Sequence, residues 1–559
     1  MAVNVNEDVV DVVIVGAGFA GIYTAIHATK EALSVVGIDA ASDVGGTWFW
    51  NRYPGARCDV ESIDYSFSFD EELQQQWRWT ERYATQPEIL GYLNHVADRY
   101  NVRDHYRFGE RLTEAVWNES SHVWQVTTEN GLTLLCRWLV MASGSLSQPV
   151  LPPIRGLDSF DGEILMTAAW PEKDPDLRGK KIGLIGTGSS GIQALPHLAD
   201  EAEAIVVYQR TANYSIPAFH WELDGQQWQE AQANYGERRR VSWNSLAGSP
   251  WTSHPTPFHD ASKEERESVF EDFWTKGGVL FAKAFSGLTA DPDINAAATD
   301  FFLKKLANIV DDPQTLVDLT PKDQPLGAKR ICTDSGYYEC FNRKNVELVN
   351  LPSDPIVSIG PDGVTTQSGF HQHDVLVFAT GFDALTGALT APTIRGRGNR
   401  LLRAQWQDGV TTFLGMGIPG FPNLLSLNGP GSPSVLSNMA LTSEQQGRFA
   451  LDLIHYCDRH GFSSAEARAD TAAEWTEDNA NRANSTFFGS ASSWYTGANI
   501  EGKAREFLPF IGGFRPYIEA CDSVSETGYA GFLLSNTSAN RVRTDPHGSG
   551  QVPPRKENY

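Results

Sequence analysis

Apolar residues group along this chain in two ways: near-continuous runs closed by glycines, and stretches where they recur every three or four positions. The run Val9-Val10-Asp11-Val12-Val13-Ile14-Val15 leads directly into Gly-Ala-Gly-Phe-Ala-Gly at 16–21. A second run, Lys181-Ile182-Gly183-Leu184-Ile185, leads into Gly-Thr-Gly-Ser-Ser-Gly at 186–191. A run apolar at almost every position predicts a parallel strand covered on both faces, because a strand with one wet face would alternate. Each segment therefore predicts strand, glycine-rich turn and helix. One GxGxxG says little; two, each set between a strand and a helix, predict two dinucleotide-binding folds. Further strands are predicted over Val35-Val36-Gly37-Ile38, Ile205-Val206-Val207-Tyr208, Val346-Glu347-Leu348-Val349 and Asp374-Val375-Leu376-Val377-Phe378.

Between about 217 and 325 the pattern becomes helical, rich in tryptophan and charge. Phe302, Leu306, Ile309 and Val310 share one helical face up to a break at Asp311-Asp312-Pro313. The expected fold is α/β, with two Rossmann-like dinucleotide-binding domains and a helical insertion. The first domain is discontinuous, 1–142 with 379–540, and so is the second, 143–216 with 326–378. The insertion is 217–325, and the Gly-, Ser- and Pro-bearing end, 541–559, is expected to be a disordered tail.

Composition narrows the function classes. A chain of 559 residues exceeds one hydrophobic core, and 20% charged with 41% hydrophobic residues is ordinary for a globular protein. A net charge of −24 argues against nucleic acid and against an anionic membrane surface as partners. The cysteines Cys58, Cys136, Cys332, Cys340, Cys457 and Cys521 form no CxxC and no metal-ligand spacing, so no metal and no redox-active pair is expected. They read as free thiols in a reducing compartment. With no leader pattern and no apolar run of spanning length, a cytoplasmic protein is expected.

The two turns differ in the cofactor they suit. In the first, Gly16 makes the bend, Gly18 admits a pyrophosphate to the backbone and Gly21 lets helix and strand pack closely. Asp39 follows Gly21 by eighteen residues (39 − 21), at the end of the next strand, where a carboxylate accepts from ribose hydroxyls. That site suits FAD or NAD(H). The second cradle comprises Gly186, Thr187, Gly188, Ser189, Ser190 and Gly191. Nineteen residues past Gly191 (210 − 191) stands Arg210, followed by Thr211, where a carboxylate would repel a 2′-phosphate and these two would bind it. The pair selects NADP. One FAD-like and one NADP-like unit in a single chain imply hydride passing from NADPH to flavin.

Downstream of Asp39 lies Gly45-Gly46-Thr47-Trp48-Phe49-Trp50-Asn51-Arg52-Tyr53-Pro54-Gly55-Ala56-Arg57-Cys58-Asp59. It resembles the GGxW…YPG…D motif of the type I Baeyer–Villiger monooxygenases. Phe160-Asp161-Gly162 through Trp170-Pro171 resembles their FxGxxxHxxxW(P) fingerprint, except that Met166 stands where the family has histidine. Gly327-Ala328-Lys329-Arg330 with Asp334-Ser335-Gly336-Tyr337-Tyr338-Glu339 resembles the segment bearing the family's active-site arginine. Ala379-Thr380-Gly381-Phe382-Asp383, Gly431 through Met439, and Ser493-Trp494-Tyr495-Thr496-Gly497-Ala498-Asn499-Ile500 resemble its return to the FAD domain, its substrate-pocket loop and its NADP-closing loop. The motifs are collinear from Val9 to about Lys503.

The resemblance implies FAD and NADP as cofactors, O2 and a ketone as substrates, and an ester or lactone as product by way of a flavin C4a-peroxide anion. It implies that Arg330 supplies a fixed cation and that Asp59 is its counter-charge. It places Gly46, Thr47, Trp48, Asp59 and Tyr65 at the flavin, with Trp48 and Trp50 packing there. Lys329 joins Arg210 at the 2′-phosphate, Trp494 lies on the lid, and Ser434, Val435 and Leu436 form pocket wall. Met166 can neither ionise nor donate a hydrogen bond, which puts NADPH handling or coupling in question. Two other readings share the architecture: a monooxygenase acting on nitrogen or sulfur, and a nucleotide-binding flavoprotein that turns NADPH over without oxygenation. Neither calls for an arginine with a dedicated carboxylate partner.

Overall fold

The computed structural model describes residues 9–322 and 324–536; the expected tail at 541–559 lies outside them. Two sheets organise the chain. The larger has eight strands, seven in the order Thr393–Arg395, Leu112–Asn118, Val123–Thr128, Thr133–Met141, Val9–Val15, Val35–Asp39, Tyr106–Phe108, with Leu424–Ser426 also paired to Thr133–Met141. Val9–Val15 sits between parallel neighbours, Val35–Asp39 and Thr133–Met141. Its residues 10–15 are all buried, as a strand covered on both faces requires.

The second sheet is parallel throughout, in the order Val346–Asn350, Ala204–Gln209, Lys181–Ile185, Val375–Phe378, Glu163–Met166. The strands expected from sequence all form. A three-stranded antiparallel meander over Ile356–Gly360, Gly363–Thr366 and Phe370–Gln372 was not foreseen.

No strand forms among the described residues between the short parallel pair Ser215–Pro217 and Cys332–Asp334. The intervening chain holds helices Gly225–Trp243, Lys263–Lys276, Pro292–Ala307 and Pro313–Leu319, so the insertion leaves and re-enters at one place. The periodicity through Val310 overstates one helix. It stops at Ala307, capped by Asn308, and Asp312 already caps the next by accepting from Thr315 N at 2.7 Å. Val310 remains core at 5% exposure because the chain folds back onto Leu306. All six cysteines are buried and free. No described helix is long and apolar enough to cross a membrane.

Candidate functional site

Both glycine turns are built alike. Gly16 and Gly186 each have φ of +112°, and a Cβ there would fall 2.3 Å from Ala142 O and 2.4 Å from Ala379 O respectively. Helices Phe19–Lys30 and Ser189–Glu201 start at Gly18 and Gly188 with no side-chain cap and no acidic residue in the first turn. Their first N–H groups are thus left for an anion. A Cβ on Gly188 would meet nothing within 4 Å, and one on Gly18 only the Cα of Gly46, at 3.5 Å. These open cradles fit the pyrophosphates of FAD and NADP.

Asp39 does more than wait for a ribose. Its Oδ2 accepts from Ala17 N at 2.6 Å and its Oδ1 from Ala41 N at 2.7 Å, so it ties the first turn to the strand end. Burial raises its pKa, against those two N–H groups. In the second unit Thr187 Oγ1 donates to Thr211 O at 3.0 Å and Asn213 Nδ2 to Thr187 O at 2.6 Å. Arg210 is exposed and Thr211 half-buried at the strand end. Ser189 Oγ lies 3.5 Å from Cys332 Sγ.

Arg330 and Asp59, 271 residues apart, form a bidentate pair: Nε donates to Oδ2 at 2.5 Å and Nη2 to Oδ1 at 2.8 Å. A third N–H, on Nη1, donates to Val435 O at 2.8 Å. Ser434, just before it, is fully buried with φ of +43°, and its Oγ donates to Asn428 O at 2.9 Å. Leu436 is half-buried beside it. Burial opposes both charges, but their mutual attraction outweighs it, raising the pKa of Arg330 and lowering that of Asp59. Lys329 is half-buried next to Arg330. Burial pushes the Cys332 thiol up to about 11, so it stays neutral beside the pair.

The first motif's Trp48 clusters with Tyr65. Trp48 Nε1 donates to Tyr65 OH at 3.3 Å, and both are buried, whereas Thr47 is exposed. Trp50 is half-buried, its carbonyl accepting from Trp170 N at 3.3 Å, which joins the first motif to the fingerprint segment. Met166 ends the edge strand opposite Phe378 and packs half-buried on the apolar cluster of Ile185, Val206 and Tyr208.

Three contacts at the site are not legible in the sequence. The Val435 acceptor is a main-chain carbonyl. Tyr495, next to Trp494, is 1% exposed and faces Arg330; burial pushes its hydroxyl up to about 12, against the arginine's charge. Trp494 itself is half-buried. Its loop is tied down by Asn499 Nδ2 on Phe382 O at 2.7 Å and by Lys503 Nζ on Asp383 Oδ1 at 2.5 Å. Tyr53 docks on the second glycine-turn helix, its hydroxyl donating to Gln193 Oε1 at 2.8 Å.

Residues 13–226 match the family model described as pyridine nucleotide-disulphide oxidoreductase. The chain is 39% identical over 533 residues to a Baeyer–Villiger monooxygenase of Pseudooceanicola batsensis, covering 94% of this chain and 97% of that protein. A phenazine N-monooxygenase of Lysobacter antibioticus is 38% identical, covering 95% of this chain and 98% of its own length. Among solved structures, an oxidised steroid monooxygenase bound to NADP is 50% identical with a TM-score of 0.91, covering 95% of this chain and all of that one.

Proposed function

The chain belongs to the Baeyer–Villiger monooxygenases, and we propose that the Arg330–Asp59 pair is its catalytic centre. The enzyme depends on FAD and NADPH and converts ketones to esters or lactones: ketone, O2, NADPH and a proton give ester, water and NADP+. The chemistry supplied by bound FAD is acceptance of hydride from NADPH and activation of O2.

A guanidinium has five N–H donors; Asp59 and the Val435 carbonyl engage three, and the Tyr495 hydroxyl is also bonded to the group, so the donors left to a reacting oxygen lie on the terminal nitrogens. Directed at an oxygen on which negative charge develops, they stabilise it without reorganising, because Asp59 and the Val435 carbonyl already hold the fork in place. The charge persists at any working pH. The loop 493–503, fastened by Asn499 and Lys503, excludes water from that region, with Tyr495 innermost.

The cofactors divide between the sheets: FAD at Gly16, Gly18, Gly21 and Asp39, with Gly46, Thr47, Trp48 and Tyr65 around it, and NADP at 186–191 with Arg210, Thr211 and Lys329. The domains are 1–142 with 379–540 for FAD, 143–216 with 326–378 for NADP, and the insertion 217–325. The six free thiols fit a cytoplasmic enzyme.

The observation that carries this reading is the bidentate pair. Its test is NADPH oxidation with a panel of linear, cyclic and bulky ketones, with products analysed. Ketone-stimulated, O2-dependent turnover yielding ester is expected; turnover yielding hydrogen peroxide alone would overturn it. N-oxygenation is the second reading, favoured by the similarity to the phenazine N-monooxygenase, and the same assay with aromatic amines and N-heterocycles decides it.

A further inference from the structure

The stretch 51–70 carries Asp59 and Tyr65, yet no helix or strand forms among its described residues. Its internal backbone bonds are isolated turns, such as Asp64 N and Tyr65 N on Glu61 O, so contacts from outside hold it in place. On one side, Cys58 N donates to Ala84 O at 3.1 Å and Ser62 N to Arg82 O at 2.8 Å. On the other, helix Gly225–Trp243 of the insertion grips it. Arg238 donates from Nε and Nη2 to the two oxygens of Asp64, each at 2.6 Å, and from Nη2 to Glu61 Oε2 at 2.6 Å. Arg239 donates to the carbonyls of Asp64 and Ile63 at 2.9 and 3.0 Å and to Ser66 Oγ at 2.6 Å.

The Asp64 side chain is 2% exposed and that of Glu61 12%. Two buried carboxylates three residues apart repel unless a cation bridges them, and Arg238 contacts both. Arg82 pairs with Glu61 only. Among the described side chains, the Asp59 carboxylate is bonded to Arg330. Where Asp59 points therefore follows from how its coil is held, and Glu61 is two residues on.

We propose that Arg238 of the helical insertion is a positioning residue for the Asp59–Arg330 pair, fixing the coil through Glu61 and Asp64. The proposal rests on the reading of that pair given above. It makes the insertion a clamp on the catalytic coil.

The test uses the FAD-loaded, full-length enzyme and reads ester formed per NADPH oxidised, with the rate of ester formation. A displacement on the order of 1 Å at a catalytic group can cost about a hundredfold. Arg238→Met is expected to keep FAD and NADPH oxidation, to lose roughly ten- to a hundredfold in ester formation, and to release hydrogen peroxide. Arg238→Lys, which keeps the charge without the fork, is expected to fall between, and serves if the methionine variant fails to fold. Arg448→Met, which removes a distant ion pair with Glu31 and Asp452, is the control for general loss of stability. In an Asp59→Asn background, Arg238→Met is expected to add nothing. Unchanged coupling in both Arg238 variants, or a defect that multiplies in full with that of Asp59→Asn, overturns the proposal. Arg330→Ala tests the underlying pair separately: if it destroys ester formation while the Arg238 variants do not, the pair stands and the clamp falls.

Discussion

The hydroxyl of Tyr53 donates to Gln193 Oε1 at 2.8 Å, and the same glutamine returns its Nε2 to Arg57 O at 3.1 Å. Between them lies Gly55, where a Cβ would fall 2.4 Å from Gln193 O. The motif that ends in Asp59 is thus seated on the first turns of the helix that follows the second glycine cradle. Tyr53→Phe removes one hydrogen bond and leaves the seat otherwise filled. A net loss of about 0.5–1.5 kcal/mol is two- to tenfold in an equilibrium between seated and unseated arrangements. Anaerobic flavin reduction by NADPH is expected to slow by about that factor, with FAD content unchanged. An unaltered reduction rate would show that this contact does not set the approach of the two units.

Gly18 and Gly21, the second and third glycines of the first turn, separate binding from folding. Gly18 has an ordinary φ of −86° and open space before it, whereas a Cβ on Gly21 would lie 1.8 Å from Gly16 O. Gly18→Val is expected to fold and emerge colourless, because its side chain fills the cradle. Gly21→Ala is expected to lose on the order of 1–3 kcal/mol of stability or more through overpacking. Absorbance at the flavin band and a thermal midpoint for each variant check the contrast. Full FAD in Gly18→Val would refute the assignment of this cradle.

How much of this was legible in sequence depends on what carries each feature. Doubly covered parallel strands are apolar at nearly every position, so Val9–Val15 and Lys181–Ile185 stand out at their full observed lengths. The meander 356–372 does not, since its strands are only three to five residues long, the outer two are largely exposed or half-buried, and the buried middle one, Gly363–Thr366, carries a single large apolar residue, Val364. Asp59 and Arg330 are separated by 271 residues, so no spacing joins them; the family motifs brought both forward. The clamp was invisible for a different reason. Glu237-Arg238-Arg239-Arg240 is a run of charges of the kind usually solvated, and Glu237 and Arg240, paired at the surface, are so. Only tertiary packing turns the middle two arginines inward.

Arg210 and Thr211 are proposed to select NADPH over NADH. Arg210 is exposed at the strand end, so its removal leaves the fold undisturbed. Losing a charge-assisted hydrogen bond to the 2′-phosphate costs about 1.5–3 kcal/mol, on the order of ten- to a hundredfold. Arg210→Ala is expected to raise the KM for NADPH by that factor and to leave the KM for NADH nearly unchanged. Equal use of both cofactors by the wild-type enzyme would sink this assignment.

Glu444 gives a pH dependence of stability. Buried in helix Met439–His460, its carboxyl is pushed up to about 7 by burial, against hydrogen bonds from Ser68 N at 2.5 Å and Ser68 Oγ at 2.6 Å. The folded state therefore holds this proton at pH values where the unfolded chain, with an ordinary value of 4.5, has released it. The resulting stabilisation is fully present below about pH 4.5 and is lost as pH rises through about 7, some ~3 kcal/mol in all. Glu444→Gln cannot ionise. Its melting temperature relative to wild type is expected to rise steadily between about pH 5 and pH 8, and parallel profiles would show that Glu444 is already ionised in the fold.

Arg330 is expected to separate ester formation from mere oxidation of NADPH. Its guanidinium is fixed by three hydrogen bonds to Asp59 and the Val435 carbonyl and by the Tyr495 hydroxyl, and the donation that remains on its terminal nitrogens is what the reaction gains from that rigidity. Arg330→Ala removes the fork and leaves both glycine cradles untouched, so FAD and NADPH should still bind. Loss of one preorganised donor to a developing oxyanion commonly costs about 3–4 kcal/mol, or roughly two to three orders of magnitude in rate. Ester formation should fall at least that far, while NADPH oxidation continues and ends in hydrogen peroxide. Asp59→Ala is the sharper comparison. If Asp59 only orients the arginine, its loss should be milder than that of Arg330; if it chiefly neutralises a buried cation, the unpaired guanidinium should destabilise the fold by about 3–5 kcal/mol. The melting temperature tells these apart, and product analysis with stopped-flow absorbance of flavin reoxidation reads the chemistry. Ester formation at the wild-type rate by Arg330→Ala would remove the arginine from the mechanism and favour the heteroatom-oxygenating reading, which needs no fixed cation beside the reacting oxygen.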